Sequence, residues 1–310
     1  IKFIKMRKFA YIYVVLMIVL GAYTFITNGL TLGIDFKGGS SIAVTSNKIL
    51  DEKVLKAELE ELKYNVYDVE VIDKNNITFK VKESFGEEEV IKIEKIFTEK
   101  HEATTDIGVV SNVVKKDLVK NAIMSVIIAC VGIVLYVSFR FKFSYAISAI
   151  FALVHDAAII FVIFSLLKLE VSSIFIAAIL SIIGYSINDT IVTFDRIREN
   201  IKNTKKGIVK DKEELKEIID RSLTQTIGRS VFTTLTTLSP VVMLIVKGSH
   251  EIFNFNFALL IGLIAGVLSS IFLASQLLFD IEKRQIGKPK KKKWYEDEEP
   301  KEKKIKGINA

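Results

Sequence analysis

Asn188 and Asp189 stand inside an apolar stretch, residues 172–194, within the string GYSINDTIVTFDRIREN at 184–200. A carboxylate at membrane depth costs about 2.5–3.5 kcal/mol even on insertion scales, so it is expected to face a bundle interior and to work there. The chemistry open to such a group is the binding and release of a cation. On an ideal helix Ser186, Asp189 or Thr190, and Thr193 recur at three- and four-residue steps and form a polar stripe, with Asn188 on an adjoining face. A later apolar stretch carries its own stripe: Thr226, Arg229, Ser230, Thr233, Thr237 and Pro240. Asp189 precedes Asp195 by six residues, roughly 9 Å of helix, and Arg229 lies just inside the same boundary. The two opposite charges are therefore expected at comparable depth on sequence-adjacent helices. As a structural ion pair they would lock those helices together. As an ion relay, protonation of Asp189 would release Arg229, which keeps its own proton. Each proton moving down the membrane potential supplies about 2.3 kcal/mol per 100 mV.

Other candidates are weaker. His155 and Asp156 sit midway along another apolar stretch. Neighbours on a helix point about 100° apart and no third ligand is evident, so the pair is read as a packing or auxiliary proton site and no metal site is expected. Asp195, Arg196 and Arg198 fall where a span meets water, where a salt-bridge cluster is the expected role. Cys130 is the sole cysteine; it excludes an internal disulfide and is assigned to packing. His101 is expected to be a surface histidine. No nucleophile–base pair or metal-ligand cluster is visible, which argues against an enzyme.

The elements that must hold these residues follow from hydropathy. Half of the 310 residues are apolar, mean hydropathy is +0.36, and the apolar residues fall into six blocks of spanning length: 9–27, 121–139, 143–167, 172–194, 227–246 and 253–280. The first is long and lacks a small-residue cleavage site, so it is expected to remain as an anchor. Lys and Arg crowd residues 1–8, the hairpin 140–142, the loop of about 195–226 and the tail 281–310. By the positive-inside rule both termini are cytoplasmic in a multi-pass cell-membrane protein, and 28–120 is extracytoplasmic. That region has net charge −4 against +11 for the remainder, so the basic balance reflects topology and not nucleic-acid binding. The tail, basic at 288–293 and acidic at 296–299, reads as disordered, its basic part near anionic lipid of the bilayer.

Between the first two spans the periodicity changes. Residues 40–46, 64–72, 77–81 and 104–113 alternate as strands, while 50–63 and 86–100 carry helical spacing. The order β-α-β-β-α-β predicts a ferredoxin-like α+β domain inserted into an all-α bundle of six transmembrane helices. GIDFKGG at 33–39 supplies a glycine turn before the first strand.

GIDFKGG, LVHD at 153–156, the 184–200 string and QTIGRSVFTTLTTL at 225–238 together resemble the SecF branch of the SecD/SecF family, in the resistance–nodulation–division superfamily, over about residues 1–280. The resemblance implies one span, an outer domain and five more spans. It also implies a role in protein export with a SecD-like subunit, the SecYEG channel, the SecA motor, the translocating preprotein and YajC. The driving gradient would be protons, with sodium as the alternative and no other cofactor. The family's fourth-span acid and fifth-span arginine fall on Asp189 and Arg229. A polar stripe on one face of a six-span unit needs covering, so a separate SecD-like half is expected. Half of a proton-driven small-molecule or lipid exporter is the competing reading; the outer region of about 90 residues is small for one.

Overall fold

The structure is a computed structural model and describes residues 3–204, 209–249, 252–284 and 286. A 3-10 turn, Phe3–Met6, leads into α1 (Arg7–Thr27), which ends at a two-residue strand β1 (Thr31–Leu32) and a single helical turn α2 (Ile34–Lys37). The chain then forms β2 (Gly39–Ser46), α3 (Glu52–Glu61), β3 (Val66–Asp73), β4 (Asn76–Val81), α4 (Glu87–His101) and β5 (Ala103–Val110). The strand order across the sheet is β3-β4-β2-β5, with every neighbouring pair antiparallel.

Alternation along the strands decides which face is covered. Ile42, Val44, Ile77 and Phe79 meet Leu55 and Leu59 of α3 and Ile93 and Phe97 of α4 in one closed core. The other sheet face, with Ser41, Ala43, Thr78, Lys80 and Asp106, looks onto a cavity of about 640 Å³ above the helix bundle. Local chemistry sets the ends of the elements: Asp51 accepts from Lys53 N at 2.9 Å at the start of α3, and the Glu89 carboxylate accepts from Gly86 N at 2.8 Å at the start of α4. Glu58 meets His101 at 2.8 Å. Burial pushes its carboxyl up, but His101 and Lys100 outweigh that and hold it below the ordinary glutamate value.

The bundle continues with α5 (Asn112–Arg140), α6 (Phe143–Leu167), a short strand β6 (Glu170–Val171), α7 (Ser173–Lys202), α8 (Lys212–Lys247) and α9 (Phe253–Ser269). A π-helical turn, Ser270–Ala274, passes into α10 (Ser275–Glu282). Six of these helical stretches are long and apolar enough to cross a membrane. β1 and β6 pair in parallel beside the sheet domain. At the centre α7 and α9 approach closely at Gly262 and Gly266, spaced as a small-xxx-small pair. A Cβ at Gly262 would lie 2.4 Å from Ile182 Cδ1, and one at Gly266 3.1 Å from Ser186 Cβ. α1 and α5 are peripheral, with Ile12, Leu16, Ile18, Ile127, Ile128 and Leu135 exposed. Cys130 is exposed too, and is not the packing residue expected of it.

Three boundaries differ from the sequence expectation. The last strand ends at Val110 and not at 113, because the Ser111 hydroxyl accepts from Val114 N at 3.3 Å and starts a helix. α5 therefore begins at Asn112, before the expected 121, and Lys115, Lys116 and Lys120 ride on a helical extension below the sheet domain. The segment 195–226 is not one loop: α7 continues to Lys202 and α8 starts at Lys212, where Asp211 accepts from Glu214 N at 2.8 Å. Hydropathy marks where a helix leaves apolar surroundings, whereas capping marks where it ends. The charged stretch 288–299 lies outside the described residues.

Candidate functional site

Asp189 lies near the middle of α7 and is 9% exposed. Ser230, on α8, donates to its Oδ1 at 2.5 Å, and Oδ2 is buried without a hydrogen-bond partner among the described residues. An open cavity of about 420 Å³ adjoins the carboxylate between α7 and α8, lined by Tyr185, Asn188, Phe232, Thr233, Thr236 and Thr237. Thr237 donates to the Tyr185 hydroxyl at 3.3 Å. Arg229 neighbours Ser230 on α8, but its side chain is exposed and makes no ion pair with Asp189 among the described residues. The direct ion pair expected from spacing is thus replaced by a hydroxyl contact. Ser230 points into the helix interface, and Arg229, one residue back, is turned about 100° away from it.

The expected single stripe on α7 is divided between two partners. Ser186 and Thr190 turn toward α6 and the α9 turn: Ser186 donates to Asp156 Oδ2 at 2.6 Å, and Thr190 meets Ser270 at 2.8 Å. Asp189 instead faces α8. Thr193 is fully buried, its hydroxyl unpartnered among the described residues. On α8 the Thr226 and Thr233 hydroxyls satisfy carbonyls of their own helix, Ser222 at 3.1 Å and Arg229 at 2.8 Å, and Asn188 is exposed. Asp156 is 1% exposed and accepts from Ser269 as well, at 2.9 Å. Ser269 and Ser270 were missed at the sequence level; two adjacent serines in an otherwise apolar span were the available signal.

The end of α7 beside the sheet domain is held by the glycine motif. Gly33 N donates to Val171 O at 2.9 Å, extending the β1–β6 pairing. The Asp35 carboxylate then accepts from Ser173 N at 2.7 Å and Ser173 Oγ at 2.5 Å, capping the first turn of α7. A negative group there also suits the helix dipole. Glu170, just before this turn, pairs with Lys80 of β4, whose ammonium also reaches Asp68 at 3.2 Å and Glu70 at 3.6 Å. The Lys80 side chain is 8% exposed. Burial alone lowers its pKa, but Glu170, Glu70 and Asp68 outweigh burial and hold it above the ordinary lysine value. A raised folded value means this stabilisation is complete below about pH 10.4 and is lost only as pH climbs through the folded value. Lys80→Met leaves three carboxylates facing one another; amides of β4 and of residues 170–172 are expected to exchange roughly tenfold faster, a loss of about 1.4 kcal/mol. Unchanged protection at both places would refute the link.

At the opposite end Asp195 binds Arg140 at 3.0 Å and Arg198 at 2.8 Å, while Arg196 pairs with Glu199 at 2.9 Å. Arg140–Asp195 ties α5 to α7, as does Arg198, which donates to Arg140 O at 2.9 Å, while Arg198–Asp195 and Arg196–Glu199 lie within α7; together they form a partly exposed salt-bridge cluster.

Residues 90–284 match the family model described as Protein export membrane protein SecD/SecF, C-terminal, and residues 23–48 match the SecD/SecF GG Motif. The first match holds Asp156, Asp189, Arg229 and Ser230; the second holds Asp35, Gly38 and Gly39. Protein translocase subunit SecDF of Bacillus subtilis is 39% identical over 289 residues, which are 92% of this chain and 39% of that one. Protein translocase subunit SecF of Alicyclobacillus acidocaldarius is 36% identical over 277 residues, covering 87% of this chain and 89% of the relative. The chain thus spans well under half of the SecDF relative and nearly all of the SecF relative. A crystal structure of SecDF from Thermus thermophilus superposes with a TM-score of 0.79 at 31% identity, covering 92% of this chain and 39% of that one. A second SecDF crystal structure, in a super-membrane-facing form, gives 0.65 at 32% identity over the same shares. On the family match and these identities, the chain belongs to the SecD/SecF protein-export membrane family.

Proposed function

We propose that the chain is a SecF-like half that works with a SecD-like half to assist Sec-dependent protein export, and that Asp189 couples a proton gradient to that work. The observation that carries this reading is the groove between α7 and α8: a carboxylate at membrane depth beside a row of hydroxyls, with Phe232 71% exposed. Such a surface facing lipid would be costly. Covered by a second bundle, it becomes an enclosed polar path. The Asp189 carboxylate, with one hydroxyl donor and one unpartnered oxygen, holds a proton at Oδ2 and then carries no charge. When the proton leaves, the anion attracts the nearby Arg229 guanidinium, and α8 shifts against α7. Because Asp35 and the β1–β6 pair grip the other end of α7, a shift of that helix is felt by the sheet domain.

In this reading the sheet domain lies outside the cytoplasmic membrane and the Arg140–Asp195 end inside, as the Lys/Arg distribution supports. The strand order and antiparallel pairing support a ferredoxin-like sandwich for the outer unit. SecYEG, SecA, the preprotein and YajC are the partners that belong to this proposal, sodium is the alternative ion, and no bond-making chemistry is assigned. The test of the covered groove uses Cys130→Ser with a new cysteine at Phe232 or Thr236, co-expressed with a SecD-like half. Cross-links to that half are expected from both positions and none from a cysteine at Ile18, on the exposed face of α1. Cross-links between copies of this chain alone would overturn the reading.

A further inference from the structure

Three charged side chains are buried among the described residues: Lys80 and Asp189, treated above, and Asp156. Asp156 lies near the middle of α6, about 17–20 Å from either end, and no Lys or Arg comes within ion-pair distance of it among the described residues. Ser186 of α7 and Ser269 of α9 both donate to Oδ2, at 2.6 and 2.9 Å. Oδ1 faces His155 Nδ1 at 3.3 Å, so these helix neighbours do meet despite their diverging Cα–Cβ directions. His155 is the one group in contact with Asp156 that can carry a compensating positive charge. Its Nε2 is buried and unpartnered among the described residues, and its side chain is only 9% exposed. The ring packs edge-on against Tyr13 of α1, 5.6 Å between centroids, at an apolar groove of about 280 Å³ between α1 and α9.

We propose that Asp156 and His155 share one exchangeable proton and form a second titrating site in the bundle, distinct from Asp189. A lone buried carboxylate is too costly to persist with only two hydroxyl donors, so one positive charge belongs to the pair. The proton rests on His155 Nδ1, as an imidazolium–carboxylate pair, or on Asp156 Oδ1, beside a neutral imidazole; only an N–H and an O–H bond exchange. Tyr13, from α1, is the other titratable group facing the pair. α7 contributes only the hydroxyls of Ser186 and Thr190, and α9 with its π-helical turn only those of Ser269 and Ser270. That turn is the one departure from regular helix in the last span, and such turns gather at functional sites. It brings two consecutive serines inward, one on Asp156 and one on Thr190. Ser186 is three residues from Asp189 on the same helix, so charge on the Asp156 site bears on the α7 face next to the Asp189 contact. This inference stands on its own geometry and does not require the Asp189 relay.

The test is pH-difference infrared spectroscopy of the full chain with a SecD-like half in lipid vesicles, reading the protonated-carboxyl band. Asp156→Asn is expected to delete one titrating band and to leave a second band that Asp189→Asn deletes. His155→Gln is expected to retain the Asp156 band with its midpoint moved by about one pH unit, a tenfold change in proton affinity. It also keeps the question answerable should Asp156→Asn fail to fold. A parent-like spectrum for Asp156→Asn, or an unmoved midpoint in His155→Gln, overturns the proposal. A midpoint that follows sodium at constant pH and ionic strength also overturns it, in favour of a metal cation. A parent spectrum that shows the Asp156 band but no titrating band assignable to Asp189 would count against the proposed function and leave this site intact.

Discussion

Asp189→Asn is expected to make release of secreted proteins insensitive to the membrane potential while the chain still folds and pairs with a SecD-like half. Asparagine has the same shape and its side-chain oxygen still accepts from Ser230, so the helix contact at 2.5 Å survives. What disappears is the group that gains and loses a proton. One proton falling through 100 mV delivers about 2.3 kcal/mol, roughly 50-fold in an equilibrium, and that dependence should collapse to none. Pulse-chase measurement of secretion, with the potential clamped high and low, reads this directly. Arg229→Met should act in the same direction, by removing the charge that answers the bare carboxylate. Ser230→Ala keeps a titratable Asp189 and should retain the potential dependence in weakened form. Secretion at the parental rate from fully expressed Asp189→Asn would eliminate the relay. A variant that lost only expression would indicate a structural role instead.

Gly39→Ala is expected to destabilise the sheet domain strongly, because two costs coincide there. Gly39 has φ +112, and an added Cβ would lie 2.2 Å from the backbone oxygen of Val81, a group that cannot swing aside. Backbone in a region open mainly to glycine costs about 1–3 kcal/mol. Separating β2 from β4 at that point costs more, so a total of at least about 3 kcal/mol is expected, against typical domain stabilities of about 5–15 kcal/mol. Gly29→Ala is the comparison: φ is +67, yet nothing lies within 4 Å of the added atom, so only about 1 kcal/mol is expected. Proteolysis of the sheet domain in intact vesicles should therefore be much faster in Gly39→Ala than in Gly29→Ala. Equal rates would show that the glycine motif serves something other than the β2 edge.

Six apolar helices, the βαββαβ order between the first two, and the positions of Asp156, Asp189 and Arg229 within apolar helices were all legible in the residues themselves. Hydropathy and two simple periods carry that information locally. Boundaries at Asn112, Lys202 and Lys212 escaped it because caps, not apolar content, end helices. Which side chains meet follows only from how the helices pack. An i, i+3, i+4 pattern puts Ser186, Asp189, Thr190 and Thr193 on neighbouring faces but is silent on which helix each face touches. The close approach of α7 to α9 at Gly262 and Gly266 turns Ser186 and Thr190 toward Asp156, Ser269 and Ser270, and leaves Asp189 to Ser230 of α8. Arg229 is exposed for the same reason, since one residue along a helix is 100° of rotation. The grip of Asp35 on Ser173 and of Lys80 on Glu170 spans 138 and 90 residues of chain, beyond the reach of any local period.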